Sequence, residues 1–260
     1  MEHTINMLTA NYIRKDEARL KSDKVECLLS GKELIIEFVG PTGSGKTTNC
    51  IHFLEFFKKR NVNAYTFNDI KIYLGQLTFY HRLQICFKAI LLNGHDVLSY
   101  SFLLACHRIY SFDSIYRYIK LCIFNSTLSQ FMRVRKVDAV FLDQWIIQGL
   151  WSATIFKAKT FDKLPDELKR FYFNTDYVLY FDIDEETACE RIHQRESGRS
   201  RFDKMGREQR LSELKRNNPY LFRLYQNSAC KNKLKFSTRE SPGKNAEEFF
   251  QQLEYSLTRE

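Results

Sequence analysis

Short apolar runs alternate with longer stretches of helical periodicity along this chain. Glu33-Leu34-Ile35-Ile36-Glu37-Phe38-Val39 is apolar and β-branched enough to be a strand buried on both faces. From Thr47 to Arg60 apolar positions recur at helical spacing, which predicts an amphipathic helix with Ile51, Phe53, Leu54 and Phe57 on its buried side. Asn61 to Phe67 predicts a second strand, ending at Asn68-Asp69. A long region, about residues 75 to 136, is helical and rich in aromatics, with a break expected at Asn93-Gly94. Val137 to Asp143 predicts a third strand that ends in an acid, and residues 145–173 a helical stretch interrupted near Pro165. Tyr177 to Asp184 predicts the fourth strand, with Asp184 placed to cap the helix that starts at Glu185. Two more helices follow, with a break expected near Asn217-Asn218-Pro219. Leu234 to Ser237 predicts a short fifth strand, and Ala246 to Leu257 a closing helix.

Strands that alternate with helices imply an α/β fold, a parallel sheet covered on both faces. The expected organisation is one domain over 1–260, with an N-terminal extension at 1–32 and a helical region at 75–136. Ligands on such a sheet bind at the carboxyl ends of the strands. That rule gathers the loop after the first strand, Asn68/Asp69, Asp143 and the segment after Asp184 into one neighbourhood.

The loop after the first strand is Gly40-Pro41-Thr42-Gly43-Ser44-Gly45-Lys46-Thr47, which fits G-x-x-x-x-G-K-[ST] without mismatch. Strand, glycine loop and helix N-terminus together form a cradle whose backbone N–H groups and helix dipole converge on an anion. The chemistry expected there is binding of a nucleoside triphosphate by Gly40 to Thr47, with Thr48 beside them. Lys46 would reach the β- and γ-phosphates, and the Thr47 hydroxyl would hold Mg²⁺. Asp143, at the end of the third strand, is the acid expected to hold Mg²⁺ or its water. Asp69 is a candidate for accepting a substrate proton, with a plain turn residue as the alternative.

A net charge of +9 would suit a nucleic acid or membrane partner, but its distribution is local. Between Arg191 and Arg223 ten basic residues face four acids, which is two-thirds of the whole imbalance. Arg191, Arg195 and Arg199 recur at i, i+4 and i+8, one face of a helix, and Arg201 follows past Gly198. A line of like charges is self-repulsive, and a bound polyphosphate would reverse that sign. Guanidinium forks match phosphate oxygens, so a cap closing over the phosphates is the expected use, with Arg191 on the nucleotide side.

Seven scattered cysteines with no C-x-x-C pair argue for a reducing compartment and against a zinc site, and the histidines make no metal-ligand spacing. No signal-peptide layout opens the chain, and Lys88 interrupts its longest apolar run, so no membrane span and a cytoplasmic location are expected. Tyr73, Phe79, Tyr80, Tyr100, Tyr110 and Tyr116 could wall a pocket for a flat base, but at helical spacing core packing is the default.

These residues resemble thymidylate kinases. Tyr177-Val178-Leu179-Tyr180-Phe181-Asp182-Ile183-Asp184, continuing through Arg191 to Arg195, looks like the strand and helix before that family's LID. Arg199-Ser200-Arg201-Phe202-Asp203 looks like the arginine-bearing LID and its exit, which places a LID over about 191–205. The resemblance covers roughly 33–67 and 137–257. It implies the P-loop nucleoside/nucleotide kinase fold with a five-stranded parallel sheet, and transfer of the γ-phosphate of ATP, with Mg²⁺, to a small acceptor. Lys46, Asp143, Arg195, Arg199, Arg201 and Asp69 then form the expected catalytic set. Two features of the acceptor side differ. Asp143-Gln144-Trp145 stands where the family has D-R-Y, and Asn68-Asp69-Ile70-Lys71 where it has R-E-P-G. The acceptor is therefore open, with Gln144, Trp145 and Gln148 as candidate pocket walls. Two other functions fit the same loop: an NTPase coupled to a protein or nucleic-acid partner, and a nucleotide-binding regulator without turnover. Nucleic acid is not favoured as a partner, and a second copy of the chain, as a homodimer, is a candidate one.

Overall fold

The computed structural model describes residues 32–155, 164–195 and 200–257. The expected extension at 1–32 thus lies outside them apart from Lys32, as does Arg199. Five strands, β1 (Leu34–Val39), β2 (Ala64–Thr66), β3 (Ala139–Leu142), β4 (Tyr177–Asp182) and β5 (Asn232–Ser237), form one sheet in the order β2-β3-β1-β4-β5. All four pairings are parallel, with Leu34 beside Ala139 and Ile36 beside Tyr177 at the centre. With the glycine loop between its central strand and the next helix, this is the expected P-loop α/β fold. The first four strands are shorter than their sequence expectation by one to four residues and β5 is two residues longer, as strand ends usually vary.

Two helices cover one face of the sheet: α1 (Lys46–Lys58), directly after the loop, and the C-terminal helix, Pro242–Leu257, which packs against it. Between them and the sheet lie Phe38, Phe53, Phe57, Phe141, Phe181, Phe236 and Phe249. Phe53 alone makes ring contacts with five of these, at 5.0–6.5 Å between centroids. The buried side of α1 is Cys50, Phe53 and Phe57, whereas Ile51, expected inside, is half exposed. The C-terminal helix, rather than solvent, selects which turn of α1 faces inward.

The other face carries α2 (Phe67–Gln76), α3 (Phe79–Cys106), α4 (Phe112–Arg135), α5 (Ile146–Thr154), the short α6 (Leu164–Leu168), α7 (Glu185–Gln194) and α8 (Arg207–Gln226); the C-terminal helix is α9. Two expected breaks are absent. α3 runs through Asn93-Gly94, where the Asn93 side chain donates to the Ala89 carbonyl inside the helix. α8 runs through Pro219 because Asn217, Asn218, Tyr220 and Leu221 are all buried around it, and Asn217 Nδ2 bonds the Glu213 carbonyl one turn back. At Pro219 packing outweighs a local cost of about 3 kcal/mol, the penalty of a mid-helix proline.

By length and composition α3 is apolar enough to cross a membrane, which the sequence pattern did not lead us to expect; its inner side nevertheless packs on α4. Of the six aromatics weighed as pocket walls, Tyr100 is core, stacked on Tyr118 at 4.4 Å, and Tyr73 packs edge-on against Phe131. Phe79, Tyr80, Tyr110 and Tyr116 face out.

Candidate active site

The glycine loop follows the carboxyl end of β1 and is shaped by contacts a side chain would destroy. Gly43 has φ +89°, and a Cβ there would lie 2.7 Å from the Ala188 carbonyl, so α7 presses directly on the loop. Gly45, φ +75°, turns the chain into α1 without a capping side chain, which leaves the first N–H groups of the helix free for an anion. Ser44 is buried and closes a turn onto the Pro41 carbonyl at 3.2 Å. Thr42 lines the turn, and Thr48 is exposed on the first turn of α1. Asn49 holds the loop from behind: its Nδ2 donates to the Gly45 carbonyl at 3.1 Å and its Oδ1 accepts from Asn245 of α9.

Lys46 Nζ donates to the Gly40 carbonyl at 2.6 Å and the Pro41 carbonyl at 2.8 Å. Burial lowers its pKa to about 7; Asp143 pulls it back up and Arg195 pushes it further down. A polyphosphate would replace the loop carbonyls as its partner and restore the charge. Thr47 Oγ1 donates to Asp143 Oδ2 at 2.7 Å. The sequence separates these two residues by 96 positions, and the sheet brings them together because β1 and β3 are neighbours. A hydroxyl and a carboxylate are the oxygen donors Mg²⁺ takes when substrate phosphates complete its shell, so this pair fits the ion. Among the described residues there is no cluster of three His, Cys, Asp or Glu that would hold a metal alone.

The arginines are only partly where the sequence pattern put them. α7 ends at Gln194 and Arg195 is extended, φ −89° and ψ 131°, so the helical face that Arg191 begins stops before Arg195, and Arg199 lies outside the described residues. Arg195 is held by Asp203, Nε at 3.0 Å and Nη2 at 2.7 Å, which ties the end of α7 to the turn Arg201–Lys204 and leaves Arg195 close enough to Lys46 to depress its pKa. Arg191 Nη2 reaches the Thr238 carbonyl beyond β5. Arg201 Nη2 donates to the Ser152 carbonyl at 2.8 Å, at the end of α5. Arg117 of α4 reaches the same Ser152 through its hydroxyl, and burial followed by the field of Arg117 lowers the Arg201 pKa. Arg117 carried no signal in the sequence, being one cation in a long amphipathic helix. Arg210, counted in the basic excess, is buried and donates to the carbonyls of Phe202 and Met205, so it holds the turn before α8 rather than meeting an anion.

Asp69 Oδ2 accepts from the Thr66 N–H at 2.7 Å and the Thr66 hydroxyl at 2.6 Å, the capping box that starts α2. Its charge is nonetheless felt in the site: burial first, then Asp143 and Asp69, push up the thiol of Cys50 on α1.

Glu37 went unremarked in the sequence pattern. It is fully buried on β1, and its Oε1 accepts the N–H groups of Ile147 at 2.8 Å and Gln148 at 3.3 Å. α5 has no capping side chain of its own, so this carboxyl caps it from across the sheet and secures the Asp143-Gln144-Trp145 turn. Burial raises the Glu37 pKa to about 8, against the two backbone hydrogen bonds. Glu37 Oε2, Trp145 Nε1 and Gln148 Oε1 are buried with no hydrogen-bond partner among the described residues. The available signal was a lone acid in an otherwise apolar buried strand.

No protein-family model and no curated protein sequence matches this chain. Among solved structures it resembles a deoxyadenosine kinase from M. mycoides with dCMP and dCDP bound, at 16% identity and TM-score 0.44, over 85% of this chain and 98% of that one. The same enzyme with bound dATP gives 15% and 0.45, over 85% of this chain and 100% of that one. A shikimate kinase from Acinetobacter baumannii in complex with shikimate gives 15% and 0.44, over 89% and 97%. Likenesses of this size assign no residue and no substrate to the chain, whose P-loop α/β architecture rests on its own strand order and glycine loop.

Proposed function

We propose that this protein is an ATP- and Mg²⁺-dependent kinase that transfers the γ-phosphate to a small acceptor, a nucleotide or nucleoside, in the manner of the thymidylate kinases it resembles. The observation that carries the proposal is the meeting of Lys46, Thr47 and Asp143 at the carboxyl ends of β1 and β3, with Arg195 close by. Phosphoryl transfer needs positioning and charge neutralisation more than covalent chemistry. In this reading the loop from Gly40 to Thr47 binds the triphosphate and Lys46 neutralises its β- and γ-oxygens. Thr47 and Asp143 would hold Mg²⁺, which supplies further neutralisation when bound. Arg195, Arg199 and Arg201 meet charge developing in the transition state, and Arg191 lies on the nucleotide side. Asp69, whose Oδ2 is engaged by Thr66, would accept the acceptor's proton through its other oxygen. Gln144, Trp145 and Gln148 stand on the acceptor side, where the turn differs from that of thymidylate kinases. Six cysteines among the described residues are all free thiols, in keeping with a reducing, cytoplasmic setting.

The test is ADP release from purified protein with Mg²⁺-ATP, alone and against a panel of nucleosides, nucleoside monophosphates and phosphorylatable sugars. Strong stimulation by a nucleoside or nucleotide, with a phosphorylated product, is the expected result. In Lys46→Ala the turnover should fall by at least about a thousandfold while the circular dichroism is unchanged. Steady turnover indifferent to every acceptor would replace the kinase by a partner-coupled NTPase, and undiminished turnover in a folded Lys46→Ala protein would remove the loop from the mechanism.

A further inference from the structure

A polar pair interrupts the aromatic core beneath the phosphate loop. Asn49 on α1 and Asn245 on α9 are both buried, and Asn245 Nδ2 donates to Asn49 Oδ1 at 3.1 Å, across 196 positions of sequence. Elsewhere the same two helices meet ring on ring, Phe53 and Phe57 against Phe249 and Phe250. Neither amide is needed to satisfy its own backbone. The N–H groups of Asn49 and Asn245 already donate to the carbonyls of Gly45 and Ser241, at 2.9 and 3.1 Å. The Asn245 amide oxygen is buried with no hydrogen-bond partner among the described residues. An acceptor left that way destabilises a fold, whereas replacing both members of a buried polar pair by apolar groups of similar shape is near neutral or stabilising. Stability therefore gives no reason for these two amides.

The pair leads to the loop. Asn49 Nδ2 donates to the Gly45 carbonyl at 3.1 Å, so that carbonyl accepts both the backbone and the side-chain N–H of one residue. Gly45 stands at φ +75° and ψ 19° with no capping side chain, a conformation that glycine permits but does not by itself enforce. The carbonyl and the N–H of one planar trans peptide point in opposite directions. Fixing the Gly45 carbonyl toward α1 thus aims the Lys46 N–H out of the helix N-terminus, into the cradle that receives an anion. The bond from α9 to Asn49 Oδ1 decides which way Asn49 Nδ2 faces, because the two ends of an amide turn together.

We propose that Asn245 is a positioning residue for triphosphate binding: from the C-terminal helix it orients Asn49, and through Asn49 the Gly45–Lys46 peptide of the loop. This rests on the reading of Gly40 to Thr47 as the triphosphate loop and extends it to a residue outside every motif in the sequence. Asn245 even precedes Ala246, where the sequence pattern starts the closing helix. A pair held for binding rather than for stability has a signature that a structural pair lacks. Without it the fold is as stable as before and the anion is bound more weakly.

The experiment is isothermal titration calorimetry of the full chain with Mg²⁺-ATP and, separately, with inorganic tripolyphosphate, alongside thermal melts. Lys46→Ala serves as the control for binding at the loop. Wild type should bind both, and Lys46→Ala should lose both. The double variant Asn49→Leu/Asn245→Leu should melt at or above the wild-type temperature and bind both ligands about tenfold more weakly or worse, the scale on which partners that orient a binding group act. Should that variant not fold, Asn245→Ala, which removes the amide without filling its place, carries the same comparison on its folded protein. Wild-type affinity for tripolyphosphate in the folded variants would overturn the proposal. So would a loss confined to ATP, since the effect would then lie on the base side and not at Gly45. A wild type that binds neither ligand, or a Lys46→Ala protein that binds both undiminished, would remove the loop reading itself, and this proposal with it.

Discussion

The two faces of the sheet are built on different physics. On the α1/α9 face the core is phenylalanine against phenylalanine, with the Asn49–Asn245 pair among its few buried polar groups. On the opposite face one carboxyl oxygen of Glu37, the Trp145 indole N–H and the Gln148 amide oxygen are buried without a hydrogen-bond partner among the described residues, whereas on the aromatic face the Asn245 amide oxygen is. A protein built for stability alone would satisfy or remove such atoms, since each costs about 1–3 kcal/mol. The aromatic face therefore supports the phosphate loop as a rigid floor. The polar face carries the Asp143-Gln144-Trp145 turn, where the acceptor side is proposed to lie.

The contrast can be broken, or sharpened, by substitution. The largest effect is expected on the aromatic face: Phe53→Ala should lose about 3–5 kcal/mol of stability in urea melts, because a fully buried ring is removed from five ring contacts. A loss under about 1 kcal/mol would mean that this face is not the rigid one. Next comes Glu37. Its folded pKa, raised from 4.5 to about 8, means that the folded state holds a proton the unfolded chain has released. The stability this gives is complete below pH about 4.5 and is lost as pH rises to about 8, at about 1.4 kcal/mol per unit. Glu37→Gln should flatten that slope across pH 5 to 8, and identical slopes in wild type and variant would sink the assignment. Smallest are the arginines. Arg195→Ala and Arg201→Ala should each lower kcat by about 10–100-fold with little change in ATP KM, as groups that act in the transition state do. A rise in KM alone would instead make them ordinary ATP-binding groups.

The site was legible in the sequence where its geometry is local. Gly40 to Thr47 are contiguous, and their φ angles and close contacts are those of the glycines at Gly43 and Gly45. Asp143 was legible because an acid at the end of a buried strand is an exception to the strand's own pattern. Glu37 carried the same signal inside β1, but its role depends on α5 arriving over it, 110 residues later. The arginine ridge failed because helical spacing predicts a face only while the helix lasts, and α7 stops at Gln194. Ile51 failed because an amphipathic pattern gives a buried arc, whereas α9 decides its centre.

The sequence alone determined the alternation of strands and helices, the phosphate loop and the acid that closes onto it, since each is set by side-chain period or by backbone conformations open mainly to glycine. Tertiary structure decided the rest. It drew Thr47 to Asp143, set Glu37 beneath α5 and left α3 unbroken through Asn93-Gly94 with apolar residues outward. These depend on which surfaces meet, and burial free energy summed over many contacts outweighs the one or two kcal/mol that local preference can express.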